Sequence, residues 1–222
     1  MTTVIAPGYP VLMAARQQTS RTRRSGKQQP ARDRIVSSAA ALIRERGVHG
    51  VGLRQIVAHA DGPRGSLQRY FPGGKTQLIT EALKLVGAEV LDDTESGLIE
   101  AATPAEAIDA IFAPWRQVLI ESNFTRGCPL AATVVDAGEE DRLRHEARAL
   151  LDQWRDSIGA ALVKFGVKES TARDDATTLL AALEGALILS RATQTPQPLD
   201  TVQSFFTTSL TQASANPAAP PP

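Results

Sequence analysis

Four side chains in one short stretch are suited to reading a nucleic acid: Arg64, Ser66, Gln68 and Arg69. Arg and Gln make paired hydrogen bonds to guanine and adenine edges, and Ser bonds to bases or to phosphate. Their spacing puts them on the outer face of one short helix, because Leu67 and Phe71, four apart, take the inner face. The residues before them supply a support. Leu53, Ile56 and Val57 give a first helix one apolar face, Ala60-Asp61-Gly62 breaks the pattern, and Pro63 suits a first helical turn. Leu53 to Phe71 therefore reads as a helix-turn-helix whose second helix shows a basic, polar face, as major-groove reading requires. The bland alternative is a polar surface helix, since two short helices around a glycine turn are common in all-α proteins.

Other chemistries find little support. His49, His59 and His145 are scattered without metal-ligand spacing. No nucleophile elbow, phosphate loop or dinucleotide fingerprint occurs. Asp92-Asp93 resembles a metal-binding pair of prenyl chemistry, but Thr94-Glu95-Ser96 leaves the two-acid spacing incomplete. The expectation is a protein that is not an enzyme and holds no cofactor and no metal. The one cysteine, Cys128, excludes an intramolecular disulfide and fits a reducing cytosol. No apolar run reaches the length of a membrane span, and Pro7, Gly8 and Pro10 interrupt the apolar start, so neither a membrane segment nor a signal peptide is expected. A cytoplasmic location follows.

A net charge of zero hides a division. Residues 1–80 hold thirteen Lys/Arg against three Asp/Glu, and residues 81–222 hold eleven against twenty-one. The basic third suits a polyanion, and the acidic remainder should face away from it.

The other elements must position the reading head. Residues 1–30 lack periodicity and are expected to be a disordered basic arm with Arg16, Arg21, Arg23, Arg24 and Lys27; it lies on phosphates or enters a minor groove, or is a plain solvated tail. A bracing helix spans about Pro30 to Arg46, ended by Gly47. After Pro72-Gly73-Gly74, Lys75 opens a long helix through TQLITEALKLVGAEVLDD. Lys75 opposes the helix dipole there, which makes sense with a phosphate at the same terminus. Helices are expected over Pro104–Ser122, Pro129–Ala137, Glu139–Phe165, Ser170–Ala192 and Pro198–Ala213, with a Pro/Ala tail from about 215 to 222. Ser170–Ala192 is apolar on several faces and must be covered on most sides. Ser170–Ala192 and the last helix, about 198–213, are therefore the expected interface with a second copy of the chain; the alternative is burial within one copy.

The combination Leu53-Arg54-Gln55-Ile56, Arg64-Gly65-Ser66-Leu67, Tyr70-Phe71 and Lys75 resembles the DNA-binding domain of the TetR family of bacterial repressors. PRGSL and YFPGGK resemble the variant in repressors of Gram-positive drug-resistance operons, and Gly127-Cys128-Pro129-Leu130-Ala131 resembles an element of their ligand-binding domains. The resemblance implies that Arg64, Ser66, Gln68 and Arg69 face DNA and that Tyr70 and Lys75 bind phosphate. Family members often carry an aromatic residue where Gln68 stands and a hydroxyl residue where Val51 or Gly52 stands. The first departure points to a different operator; for the second, Arg54 is the substitute phosphate contact.

The resulting expectation is an all-α protein: a three-helix helix-turn-helix domain over 31–75, then a larger helical ligand-binding and dimerisation domain over 76–214. It would bind a palindromic double-stranded operator as a homodimer and release it to a small hydrophobic effector. The runner-up is a DNA-binding regulator controlled by a protein partner. Phe112, Trp115, Leu119, Cys128 and Trp154 are the candidate effector contacts, against the alternative that they are plain core. Glu184 and Asp136 are acids that could meet a cationic ligand.

Overall fold

The computed structural model describes residues 30–63, 65–138 and 141–215, so the arm and the Pro/Ala tail fall outside it. Nine α-helices and no strand occur among the described residues. They are α1 (Ala31–Arg46), α2 (Leu53–His59), α3 (Ser66–Tyr70), α4 (Gly74–Glu100), α5 (Pro104–Glu121), α6 (Pro129–Asp136), α7 (Asp141–Lys164), α8 (Glu169–Thr193) and α9 (Gln197–Ala215).

In α1, Ile35, Ala39, Leu42 and Ile43 turn inward, and the helix stops at Gly47, whose φ of +68° suits a residue without a Cβ. α2 starts at Gly52, whose N–H donates to the Gln55 side chain at 3.0 Å, while the glycine itself has no side chain to accept from the first-turn N–H groups. α1 lies against α2 and α4 and so backs the reading head.

α4 joins the two parts of the molecule. Its 27 residues span roughly 40 Å. It packs against α1, then against α5 and α7, and one hydrophobic core runs from Ile35 and Ile56 through Leu78 and Val86 to Trp154 and Leu183. The sequence pattern stops this helix near Asp93, yet it continues to Glu100. No proline interrupts it, and Leu98 extends the buried stripe. Gly97 permits the approach of α5, since a Cβ there would sit 2.7 Å from that of Ala110.

α5 begins with Thr103 accepting from the Glu106 N–H at 3.2 Å while the Glu106 carboxylate accepts from the Ala102 N–H at 2.7 Å. Its buried face holds Ile108, Ile111, Phe112, Trp115 and Leu119. α9 packs on α5 and α8. Along α9 the hydroxyls of Thr201, Ser204, Thr207, Thr208, Ser209 and Thr211 each donate to a carbonyl four residues back. On α8 and α9, Ile188, Leu189 and Phe205 stand 64%, 57% and 62% exposed, which leaves an apolar strip uncovered in a single chain. No helix among the described residues is long and apolar enough to cross a membrane.

Candidate nucleic-acid interface

The turn of the helix-turn-helix is built from α1. Ile56 and Val57 anchor α2 in the core. Asp61 then takes φ +48°, a left-handed conformation that Asp tolerates better than most residues. The Arg34 guanidinium donates from Nε to the Ala60 carbonyl at 3.3 Å and from Nη2 to the Asp61 carbonyl at 3.4 Å. Asp61 thus has a backbone role, which the sequence pattern does not disclose.

α3 is shorter than the spacing suggests. The helix begins at Ser66 and not at Pro63, because Gly65 holds a non-helical φ/ψ of −90°/1°. Phe71 is buried at 2% exposure, with Leu67 half-buried one turn before it. The Arg32 guanidinium lies 5.4 Å from the Phe71 ring centre. This seat leaves Gln68 and Arg69 facing solvent. Arg69 lies 5.8 Å from the Tyr70 ring centre, and Tyr70 meets Phe71 edge-on at 6.5 Å. Arg64 lies outside the described residues. Arg54 is exposed in the first turn of α2, and Lys75 is half-buried in the first turn of α4.

The charges of the head divide by partner. Arg32 and Arg44 are paired with acids of α4, Glu81 at 2.6 Å and Glu89 at 2.7 Å. Among the described residues, Arg54, Arg69 and Lys75 have no carboxylate within 4.0 Å.

The five candidate effector contacts all lie in the core. Phe112, Leu119 and Trp154 are fully buried, and Trp115 and Cys128 nearly so. The rings of Trp115 and Trp154 lie 5.7 Å apart at 36°. Burial pushes the Cys128 thiol well above its ordinary pKa, and the neighbouring Glu184 adds to this. Burial likewise raises Glu184 to about 7. A polar surface cleft between α5 and α9, lined by Arg116, Asp200, Gln203, Ser204, Thr207 and Thr208, shares no residue with this set.

Two family models match. Residues 35–82 match the bacterial regulatory proteins of the tetR family, and residues 104–205 match the LmrA/YxaF-like transcriptional regulator C-terminal domain. An uncharacterized HTH-type transcriptional regulator of Mycobacterium tuberculosis is 39% identical over 180 residues, which cover 77% of this chain and 89% of that one. The chain belongs to the TetR family. The HTH-type transcriptional regulator LmrA of Bacillus subtilis is 30% identical over 170 residues, covering 76% of this chain and 90% of its own. A TetR transcriptional regulator from Legionella pneumophila superposes with a TM-score of 0.74 at 17% identity, over 81% of this chain and 97% of that one, a likeness of fold alone. TetR proteins are transcriptional regulators and not enzymes.

In this TetR regulator the head is fastened to the bundle at the end of α1. The Val48 N–H donates to Asp136 Oδ2 at 3.1 Å, and a Cβ on Gly47 would collide with that oxygen. The Arg126 guanidinium donates to Glu45 Oε1 at 2.8 and 3.3 Å, and the Gly127 N–H points to the Arg44 carbonyl at 3.5 Å. Asp136, one of the two acids that could meet a cationic ligand, thus turns an oxygen toward α1. Arg126 and Glu45 carried no local signal, since each looks like an ordinary surface charge until the fold brings positions 81 apart together.

Proposed function

We propose that this TetR protein is a cytoplasmic repressor that binds a palindromic operator as a homodimer and is released by a small molecule in its C-terminal bundle. The observation that carries the DNA-binding part is the outer face of α3. Gln68 and Arg69 face solvent there while Leu67 and Phe71 seat the helix from behind. Gln68 and Arg69, with Arg64 and Ser66, read base edges in this account, and Tyr70, Lys75 and Arg54 hold phosphates. The exposed strip of Ile188, Leu189 and Phe205 on α8 and α9 supports self-association there. Two α3 helices would then enter successive major grooves, one DNA turn apart.

Release requires an effector that binds better to the arrangement in which the two heads are wrongly spaced. Phe112, Trp115, Leu119, Cys128 and Trp154 are the residues proposed to respond to it. The test is footprinting on the operator with wild type and the Arg64→Ala/Arg69→Ala pair. Loss of two base-reading contacts should weaken specific binding about a hundredfold or more and leave the dimer intact. Undiminished protection by the double variant would falsify the assignment of α3.

A further inference from the structure

Three buried polar atoms among the described residues have no hydrogen-bond partner: Trp154 Nε1, Glu184 Oε1 and Ser190 Oγ. All three lie on α7 and α8, which pack together in the bundle. Such groups in native proteins are satisfied by protein, water or ligand. A carboxylate is the costliest of the three to leave without a partner. Three other half-buried acids are answered: Glu81 by Arg32, Glu45 by Arg126, Asp136 by the Val48 N–H.

Glu184 differs. Among the described residues no cation lies within 4.0 Å of it, and the group acting on it is the Cys128 thiol, which is neutral at physiological pH. Arg191, two turns on along α8, is turned to the loop before α6. Its Nη2 donates to the Thr125 carbonyl at 3.2 Å, and Gly127 makes room for it. The chain thus gives Glu184 a polar neighbour and no countercharge. Glu184, Leu187 and Ser190, spaced by threes, follow one side of α8, so an apolar residue separates the two unpartnered groups.

We propose that Glu184 is the anionic anchor of the effector site, and that the effector carries a protonated amine on an apolar body. The inference rests on the ligand-responsive reading above and names the chemistry of its ligand. An ammonium group supplies the missing countercharge, and its N–H donors meet Glu184 Oε1. Leu187, three residues on along α8, is the apolar neighbour proposed for the body, which must displace packed side chains to enter, since Leu187 is buried within the chain. Cys128 continues the loop whose Arg126 and Gly127 bond to Glu45 and Arg44 of α1, so occupancy at Glu184 bears on the fastening of the head.

The probes are 4-phenylbutylamine and 4-phenylbutanol, which share a body and differ in charge. Binding to the full chain is followed by calorimetry and by the fluorescence of its two tryptophans. The amine should bind at least about tenfold more tightly than the alcohol. In Glu184→Gln the two affinities should become equal, with that for the alcohol unchanged. Equal affinities in wild type, binding of neither probe, or a preference that survives in Glu184→Gln overturns the proposal. Operator binding and oligomeric state are measured alongside without probe. A wild-type chain that ignores its operator indicts the regulator reading, whereas operator binding with no amine preference indicts the anchor alone. A Glu184→Gln chain that loses self-association but keeps the preference assigns Glu184 to the contact between copies and also overturns it.

Discussion

A single carboxyl gives the clearest pH signature. Glu184 has an ordinary pKa of 4.5 and is raised to about 7 by burial. Between those values the folded chain keeps a proton that the unfolded chain has lost, so each step upward in pH favours unfolding. The loss amounts to about 3 kcal/mol at most over the interval. Glu184→Gln cannot titrate and should remove this part of the fall. Thermal melts of both proteins at pH 5 and pH 8 decide it: the gap between the two midpoints should be narrower in the variant, and an equal gap contradicts the assignment. At this same scale the sequence showed the outer face of α3 well. Leu67 and Phe71 fix which way a helix turns, so Gln68 and Arg69 follow from periodicity alone. It showed Asp61 and Asp136 badly, because a backbone conformation and a hydrogen bond across 88 positions leave no mark on neighbouring residue types.

Among the elements, α1 carries the fastening. Asp136→Ala would strip the Val48 N–H of its acceptor, and Val48 is buried. The expected cost is about 1–2 kcal/mol, seen as a lower urea midpoint, with Asp136→Asn recovering most of it through its remaining oxygen. Equal midpoints for wild type and Asp136→Ala would remove the fastening from the account. Helix positions were legible from sequence where strong signals bound them: Pro104 opens α5 and Gly47 closes α1. Sequence pattern and structure part where the signal is tertiary. α4 runs past Asp93 because Leu98 finds a place in the core and Gly97 admits α5. α3 starts late because Gly65 stays out of the helix.

For the whole molecule, the division of charge and the continuity of the core act together. A basic head and an acidic bundle share one set of packed side chains through α4, so the head cannot be turned without disturbing the bundle. On the proposed reading, function depends on two copies being held at a fixed spacing. Ile188→Asp with Phe205→Asp places charge on the exposed strip. Sedimentation should show monomers, and operator affinity should fall with them even though α3 is untouched. A double variant that remains dimeric would place the contact elsewhere.

The hydroxyls of α9 sharpen this picture. Each of those six side chains has already given its proton to the helix's own backbone, so what the threonines offer outward is largely methyl. Thr201 and Ser209, one turn to either side of Phe205, would thus meet a second copy without stranding a donor. Few directional bonds then fix how two such strips slide along each other, and the bulk of Phe205 is left to set the register.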